Sequence, residues 1–310
     1  MKKILILLIS ISLFTSCDVE PLGNGVLNNA NNNGNGNGNG NNTSDEPLAL
    51  NSYSLDVNSD VPIFGTIIVD SDFSFNSNNN VSGAVVTSTF FGQSSVENVT
   101  FTRDNLNRIT GYTSMSSGIL TNETVITYTG DNITKIEYNY VGDDEDDYTY
   151  NFTYSGNTIT RTEEGSTIST IFTLDGNNQL ARKESFDGTT SIKTEVLDYD
   201  GLGNCIESII TGEDATSTTF IYDSNDNPLK PAFGDQYELS FLNDDYSDEV
   251  GSTMAQFSSP NNWTGITTPD GTINFNVQYD SDNRIISRNG NYDLGDGVVV
   301  QQAETFNFVN

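Results

Sequence analysis

The sequence predicts an all-β fold built as an antiparallel meander. Short alternating runs of polar and apolar residues, such as TVITYT and TSTTFIYD, are separated by Gly, Asn and Asp. This pattern is typical of half-buried strands joined by tight turns. No segment shows the 3.6-residue period of an amphipathic helix. Because a long open sheet twists and curls, we expect the strands to form a curved sheet or an incomplete barrel-like wrap.

The N-terminal segment predicts a removable export signal over residues 1–16. Lys2 and Lys3 precede an apolar run from Ile4 to Phe14, which is too short to cross a bilayer as a stable helix. The segment FTSC that ends at Cys17 resembles the bacterial lipobox, whose cysteine receives a diacylglycerol and becomes the mature N-terminus. The resemblance implies that lipid on Cys17 anchors the mature protein to a membrane. The alternative is a plain secretory signal with a coincidental cysteine.

Residues 17–46 are predicted to form the lipid anchor and a disordered linker. From Leu22 to Ser44 the chain is almost wholly Asn and Gly. Such a segment has too little apolar surface to offset the entropy of ordering. A random coil of this length spans about 25–30 Å. We expect it to hold the following domain away from the bilayer.

Residues 47–310 are predicted to form one elongated β-repeat domain, because turn segments recur along it. The recurring segments begin at Arg103, Tyr128, Tyr154, Leu174, Tyr199, Tyr222 and Tyr279. Each joins Asp, Asn or Gly to a following Ile or Leu, as expected for a hairpin of about 20–25 residues. The last gap, of 57 residues, could hold two degenerate units around residues 237–239 and Trp263. This spacing predicts about twelve to sixteen strands.

The pattern Y-D-x-x-G/N-x-I/L, as in YDGLGNCI from Tyr199, resembles the YD repeats of the Rhs family. The chain is more similar to Gram-negative envelope lipoproteins that place a few degenerate YD-like repeats behind a lipobox. The resemblance covers about residues 101–310. It implies an envelope location, with the outer membrane favoured and the domain facing the periplasm or the cell surface, but no established activity. A toxin-enclosing Rhs shell needs many more repeats and a toxic C-terminal domain, so toxin delivery is not predicted.

The charge of the chain excludes one class of partner. The sequence has 43 acidic and 12 basic residues, with a net charge of −31. Such a surface repels phosphate backbones and leaves no basic patch, so nucleic-acid binding is excluded. The acidity fits either solubility in a salty medium or binding of divalent cations.

One acidic cluster is the candidate calcium site. Calcium binds six to eight oxygen ligands, and one predicted hairpin tip could supply several. Its carboxylates are those of Asp143, Asp144, Glu145, Asp146 and Asp147. A solvated hairpin tip without a metal is the alternative. No other cofactor is predicted.

The absence of histidine limits catalysis. Ser-His-Asp and Cys-His mechanisms and histidine metal sites are excluded, since the sequence has no His. A paired-carboxylate hydrolase remains, but nothing selects a pair, so we predict that the protein is not an enzyme. With Cys17 linked to lipid, Cys205 has no intramolecular disulfide partner and is expected to be a small buried residue in a strand.

Three functional hypotheses follow. The first is a membrane-anchored envelope lipoprotein with a noncatalytic structural or partner-binding domain. The second is a glycan-binding accessory lipoprotein, and the third is a carboxylate-dependent hydrolase. Trp263, in the polar segment SSPNNWTGITTPDG, is the candidate ligand contact. A large aromatic in a predicted loop either covers the core or is exposed to a ligand.

Overall fold

The computed structural model describes residues 48–61, 65–142, 147–293 and 299–309. The predicted signal and the predicted anchor and linker segment, residues 17–46, lie outside these ranges. The described strands span Leu50–Val61 (β1), Gly65–Phe75 (β2), Val81–Phe90 (β3), Gln93–Arg103 (β4), Ile109–Ser116 (β5), Ile119–Thr129 (β6), Asn132–Tyr140 (β7), Tyr148–Ser155 (β8), Thr158–Glu163 (β9), Ile168–Leu174 (β10), Leu180–Asp187 (β11), Thr190–Tyr199 (β12), Cys205–Gly212 (β13), Thr216–Asp226 (β14), Asn261–Thr268 (β15), Gly271–Asn274 (β16), Asn276–Tyr279 (β17), Ile285–Asp293 (β18) and Val299–Phe308 (β19).

The strands form one antiparallel, barrel-like sheet in which neighbours in the chain are neighbours in space. β1 pairs with β2 on one side and with β19 on the other, which joins the two ends of the meander. β16 and β17 act as one strand interrupted at Phe275, since β16 pairs with β15 and β17 with β18. The predicted all-β meander and barrel-like wrap are confirmed. The nineteen described strands exceed the predicted twelve to sixteen, since β1 to β3 precede the first recurring segment. The pairing of β1 with β19 adds a closure that local patterns do not reveal.

The two faces of the sheet differ in polarity. In β1, the buried Leu55 and Val57 alternate with Asp56 and Asn58, which point outward. This alternation follows from the two-residue period of a strand. The apolar side chains therefore fill the lumen of the sheet, and its outer face is polar. Among the described residues, no helix is long and apolar enough to cross a membrane.

Five hairpin turns share one hydrogen-bonded geometry, and four of them lie at predicted recurring segments. In each turn, the first side chain accepts the backbone N–H groups of the residues two and four positions later, at 2.8–3.2 Å. The fourth residue has a positive φ, which Asn and Gly tolerate. The five turns begin at Asn76, Asp104, Asp175, Asp200 and Asp280. The Asn76 turn is a further copy, outside the predicted recurring segments.

The tyrosines of the repeat connect successive hairpins. The Tyr128 hydroxyl donates a hydrogen bond to the Ile109 carbonyl at 2.9 Å, and the Tyr199 hydroxyl donates to the Leu180 carbonyl at 2.9 Å. Each acceptor is the first residue of the strand that follows the preceding turn of this type. The aromatic position of the repeat therefore supplies a hydrogen bond that fixes one hairpin to its neighbour.

The meander gives the sheet two distinct rims. At the proximal rim, β1 begins, β19 ends and all five similar turns occur. The Leu50 N–H donates to Asn79 Oδ1 at 2.8 Å, which fixes the start of β1 to this rim. The distal rim carries the opposite set of hairpins, including those that join β3 to β4, β5 to β6 and β7 to β8.

Candidate functional site

A long insert enters the lumen where the repeat pattern predicts a turn. The segment from Tyr222 starts like the other turns, because the Asn225 N–H donates to Asp223 Oδ1 at 2.9 Å. Residues 227–260 then run as an insert of short helical turns before β15 begins. The turns span Leu229–Ala232, Gly234–Gln236, Leu239–Leu242, Gly251–Thr253 and Met254–Ser258.

The expected hairpin around residues 237–239 is therefore wrong, because these residues belong to the insert. Each helical turn has only three to five residues. A segment that short cannot display a 3.6-residue apolar period. The sequence pattern thus had no means of distinguishing the insert from degenerate strands.

Apolar side chains pack the insert against the lumen wall. The Phe233 ring lies 5.4 Å from the Phe73 ring and 6.1 Å from the Tyr53 ring, measured between centroids. Farther along the insert, Phe241 lies 5.4 Å from Phe172 on β10. These contacts reach walls on separate parts of the sheet, so the insert fills the space between them.

A buried lysine holds the insert from β11. The Lys183 ammonium lies 2.7 Å from Asp244 Oδ2, and it donates to the carbonyl oxygens of Asp245 at 2.6 Å and Asp248 at 2.9 Å. Only 3% of the Lys183 side chain and 6% of the Asp244 side chain are exposed. All three ammonium hydrogens therefore have acceptors, as a buried cation requires.

Two more wall cations bind the same part of the insert. Arg161, on β9, donates to the carbonyl oxygens of Leu242 and Asp244, the former at 3.0 Å, and its guanidinium lies 4.3 Å from the Tyr150 ring centroid. Lys193, on β12, donates to the Ser247 carbonyl. The insert is thus held mainly through its backbone.

A buried glutamate of the wall binds the next segment. Glu195, on β12, accepts the N–H groups of Val250 at 2.9 Å and Gly251 at 2.8 Å, and the Ser208 hydroxyl at 2.7 Å. A Cβ atom at Gly251 would lie 2.6 Å from Ser208 Cβ. Only glycine therefore allows this close approach of the insert to the wall.

An ion pair lies on the opposite wall. Arg288 Nε lies 3.0 Å from Glu304 Oε1, and 2% and 0% of the two side chains are exposed. Glu304 also accepts hydrogen bonds from Tyr53 at 3.0 Å and from Gln256 of the insert at 3.2 Å. Burial, followed by the Glu304 charge, raises the pKa of Tyr53 well above its usual value. This tyrosine therefore stays protonated and serves as a donor.

A large share of the few basic side chains in this acidic protein bond to the insert. Four of the ten basic residues that follow Lys3 bond directly to it. They are Arg103, Arg161, Lys183 and Lys193. Sequence reasoning missed this set, because the four residues are scattered over four strands and share no motif. Only their inward orientation into the same lumen connects them.

Several insert carboxyls have shifted acidities. Burial, with the Asp244 charge as the next cause, raises the pKa of Asp248 to about 8. Burial also raises the pKa values of Glu238 and Glu249 to about 7. A raised pKa suits general acid catalysis only where a substrate can reach the carboxyl. The Glu249 carboxylate lies 3.5 Å from the Lys193 ammonium of the wall, and the depression between Phe233 and Phe257 has no carboxylate in its lining.

The predicted ligand contact Trp263 is buried. It lies in β15 rather than in a loop, only 3% of it is exposed, and its Nε1–H donates to the Gly265 carbonyl at 2.7 Å. The ring packs edge-on against Phe220 and Phe275. The loop prediction is wrong, because strand pairing with β14 and β16 takes up this polar segment. Of the two alternatives for this side chain, coverage of the core is the one observed.

The other predicted site residues are divided between described and undescribed parts of the chain. Cys17, Asp143, Asp144, Glu145 and Asp146 lie outside the described residues. Asp147 is exposed, and its carboxylate accepts the Tyr140 N–H at 2.6 Å. No metal-holding group of three or more Asp, Glu, Cys or His side chains occurs in the described part of the chain.

Cys205 matches its expected role. It begins β13, its side chain is fully buried, and burial raises the pKa of its thiol well above the usual value. A reactive cysteine needs a low pKa and access to solvent. The expectation of a small buried residue is therefore confirmed.

Comparison with known proteins gives distant structural similarities. A porin-like protein from Bacteroides uniformis is 10% identical; the match covers 84% of this chain and 98% of that one, with a TM-score of 0.48. A porin-like protein from Bacteroides vulgatus is 12% identical, with coverages of 82% and 97% and a TM-score of 0.28. The TcdB2-TccC3-TEV structure is 12% identical, with coverages of 77% and 16% and a TM-score of 0.29. No protein-family model and no curated protein matches the sequence. These similarities are too distant to indicate a function.

Proposed function

We propose that this protein is a lipid-anchored, noncatalytic binding scaffold of the bacterial cell envelope. The main support for a noncatalytic scaffold is that the insert fills the lumen of the sheet. Residues 227–260 occupy the interior, and wall cations such as Lys183 and Arg161 are committed to them. A partner is therefore bound by the rims or by the outer face of the sheet rather than inside it.

The position of the chain entry supports the anchored arrangement. β1 starts at the proximal rim, where the Leu50 N–H bonds to Asn79. The Asn/Gly-rich segment and Cys17 precede it in the sequence. With lipid on Cys17, the proximal rim faces the membrane through a spacer, and the distal rim is presented to other envelope components. The FTSC motif is the basis for lipidation and for the envelope location.

The lumen carboxylates favour a noncatalytic role. Asp244 is paired with Lys183, and Glu195 accepts three hydrogen bonds from the insert and the wall. Carboxylates that are buried and bonded to protein groups in this way hold the insert to the wall, which is a structural role. The glycan hypothesis loses its candidate residue, because Trp263 is buried.

Membrane fractionation tests the anchored scaffold. The full-length protein and the Cys17→Ala variant are expressed in a Gram-negative host with labelled palmitate, and membranes are separated from the soluble fraction. We expect label and membrane association in the natural protein and neither in Cys17→Ala. Cys205→Ala is the matched control, because this buried thiol is not lipidated. Membrane retention of Cys17→Ala equal to that of the natural protein would overturn the anchor.

A further inference from the structure

Three strongly exposed apolar side chains lie on one sector of the distal rim. Phe91 is 74% exposed, Ile119 69% and Val141 60%. They lie at the hairpins that join β3 to β4, β5 to β6 and β7 to β8. Val96 and Met115 are also exposed on the adjoining strands. We name these five residues the tip surface.

The three hairpins are consecutive, so their tips are neighbours. Strand β4 pairs with β5, and β6 pairs with β7. Adjacent strands lie about 4.8 Å apart, which places successive tips about 10 Å from each other. The tip surface is therefore about 20 Å wide, which is the scale of a protein contact rather than that of a single small ligand.

Turn chemistry does not explain the residue at the first tip. Phe91 has φ = 50° and precedes Gly92 with φ = 74°. Two-residue hairpin turns of this conformation favour Asn-Gly, and a bulky side chain at positive φ is strained. The other non-glycine residues with positive φ in the described part of the chain are all Asn, Asp or Ser. A phenyl ring held in a strained, exposed position indicates selection for contact.

The charges around the tip surface select the chemistry of the partner. The nearby exposed charged side chains are acidic, with Glu123 on β6 and Asp147 immediately before β8. Among the described residues of β3 to β8, Lys135 is the basic residue nearest to the tips. Its ammonium lies 2.6 Å from the Glu137 carboxylate, so its charge is already paired. Anionic lipid surfaces are repelled by this arrangement, and the tip surface is complementary to a cationic partner.

We propose that the tip surface docks a polypeptide face that carries Lys or Arg beside apolar side chains. The apolar tips provide the area to be buried, and the surrounding carboxylates provide orientation and steering. This inference rests on the proposed binding role and adds the site and the chemistry of the partner. Lipidation of Cys17 is tested separately, so failure of one is distinguishable from failure of the other.

Designed helical peptides test the inference with the full-length lipidated protein in detergent micelles. The main probe has Leu on one face and Lys on the other, and two further probes replace Leu by Ser or Lys by Glu. Fluorescence anisotropy measures binding. We expect the Leu/Lys peptide to bind about tenfold more tightly than either of the others. Equal binding of the Ser/Lys peptide would show attraction by charge alone and would overturn the proposal.

Rim variants locate the binding. The variant F91N/I119T removes two apolar tips, and Asn at position 91 suits the positive φ, so the fold is retained. We expect it to weaken binding of the Leu/Lys peptide about tenfold. The control L106T/L202T removes two exposed leucines of the proximal rim and should leave binding unchanged. Equal losses in both variants would overturn the site.

Discussion

The Lys183 ammonium and the Asp244 carboxylate form an ion pair of 2.7 Å between β11 and the insert, inside the lumen. The two residues are 61 positions apart in the sequence. Lys183 also binds two insert carbonyls, so one side chain joins the wall to three residues of the insert. This relationship makes the insert part of the folded core rather than a loop laid over it.

Removal of that cation should destabilise the whole domain. Lys183→Met leaves the Asp244 carboxylate buried without its partner, which typically costs about 3–5 kcal/mol. We expect a lower midpoint in urea denaturation followed by circular dichroism. Lys135→Met is the control, because its ion pair with Glu137 lies on the outer face. A midpoint in Lys183→Met equal to that of the control would contradict the role of the insert as core.

Stability should rise as the pH falls from 8 to 5. The folded-state pKa of Asp248 is about 8, whereas an unfolded aspartate ionises near 3.8. The folded state therefore binds the extra proton between these values, and stability is lost as the pH rises through this window. Asp244 and Asp245 raise this pKa further, and Lys183 opposes them. We expect a gain of about 1–3 kcal/mol in the free energy of unfolding at pH 5 relative to pH 8.

Asp248→Asn separates this effect from the general charge of the chain. The variant cannot ionise at position 248, so it should be more stable than the natural protein at pH 8 and show a smaller rise toward pH 5. Asp270→Asn, on an exposed distal turn, removes the same charge from the surface. Thermal melts of the three proteins at both pH values provide the measurement. If the stability of the two variants changed equally with pH, Asp248 would not be the source of the pH dependence.

An apolar residue at position 122 should stabilise the protein. The Asn122 side chain is buried on β6, and neither its Nδ2 nor its Oδ1 has a hydrogen-bond partner. Replacing an unsatisfied buried amide by Leu removes a desolvation penalty of about 1–3 kcal/mol. Calorimetry should therefore give a higher melting temperature for Asn122→Leu.

The control for this change is Asn139→Leu, on the exposed face of the neighbouring strand β7. A surface substitution of this kind usually changes stability by less than about 0.5 kcal/mol. A lower melting temperature for Asn122→Leu, with no change for Asn139→Leu, would contradict the prediction. It would mean that the Asn122 amide makes stabilising hydrogen bonds.

The shared turn geometry predicts a hierarchy of substitutions at its first residue. Asp175 Oδ1 accepts the N–H groups of Asn177 and Gln179, both at 2.8 Å. Asp175→Ala removes both acceptors and should destabilise the domain by about 1–2 kcal/mol. Asp175→Asn should retain most of the stability, because Asn76 makes the same two bonds in its own turn. Equal denaturation midpoints for the Ala and Asn variants would count against the side-chain bonds.

Local sequence was sufficient to predict the hairpins, for a physical reason. The two-residue alternation reports which face of a strand is buried, and the Asp, Asn and Gly positions report the turn conformation. The turns at Asp104, Asp175, Asp200 and Asp280 therefore match the predicted segments. Both signals arise within about ten residues, a range in which the sequence is informative without tertiary contacts.

Predictions from local sequence were wrong for residues whose neighbours in space come from distant parts of the chain. Trp263 lies in a polar segment, yet it is buried because Phe220 and Phe275 pack against it. Residues 237–239 read as a degenerate hairpin, yet they lie in the lumen beside β10 and β11. No pattern within either segment contains this information.

The sequence by itself determined the strands, the turns, the acidity and the exclusion of histidine chemistry, because each depends on residue type and short-range order. Tertiary structure alone decided the closure of β1 on β19, the entry of the insert into the lumen and the contrast between the two rims. These features depend on which distant residues meet, as Lys183 meets Asp244. Such meetings are set by the packing free energy of the whole chain rather than by the preference of any one segment.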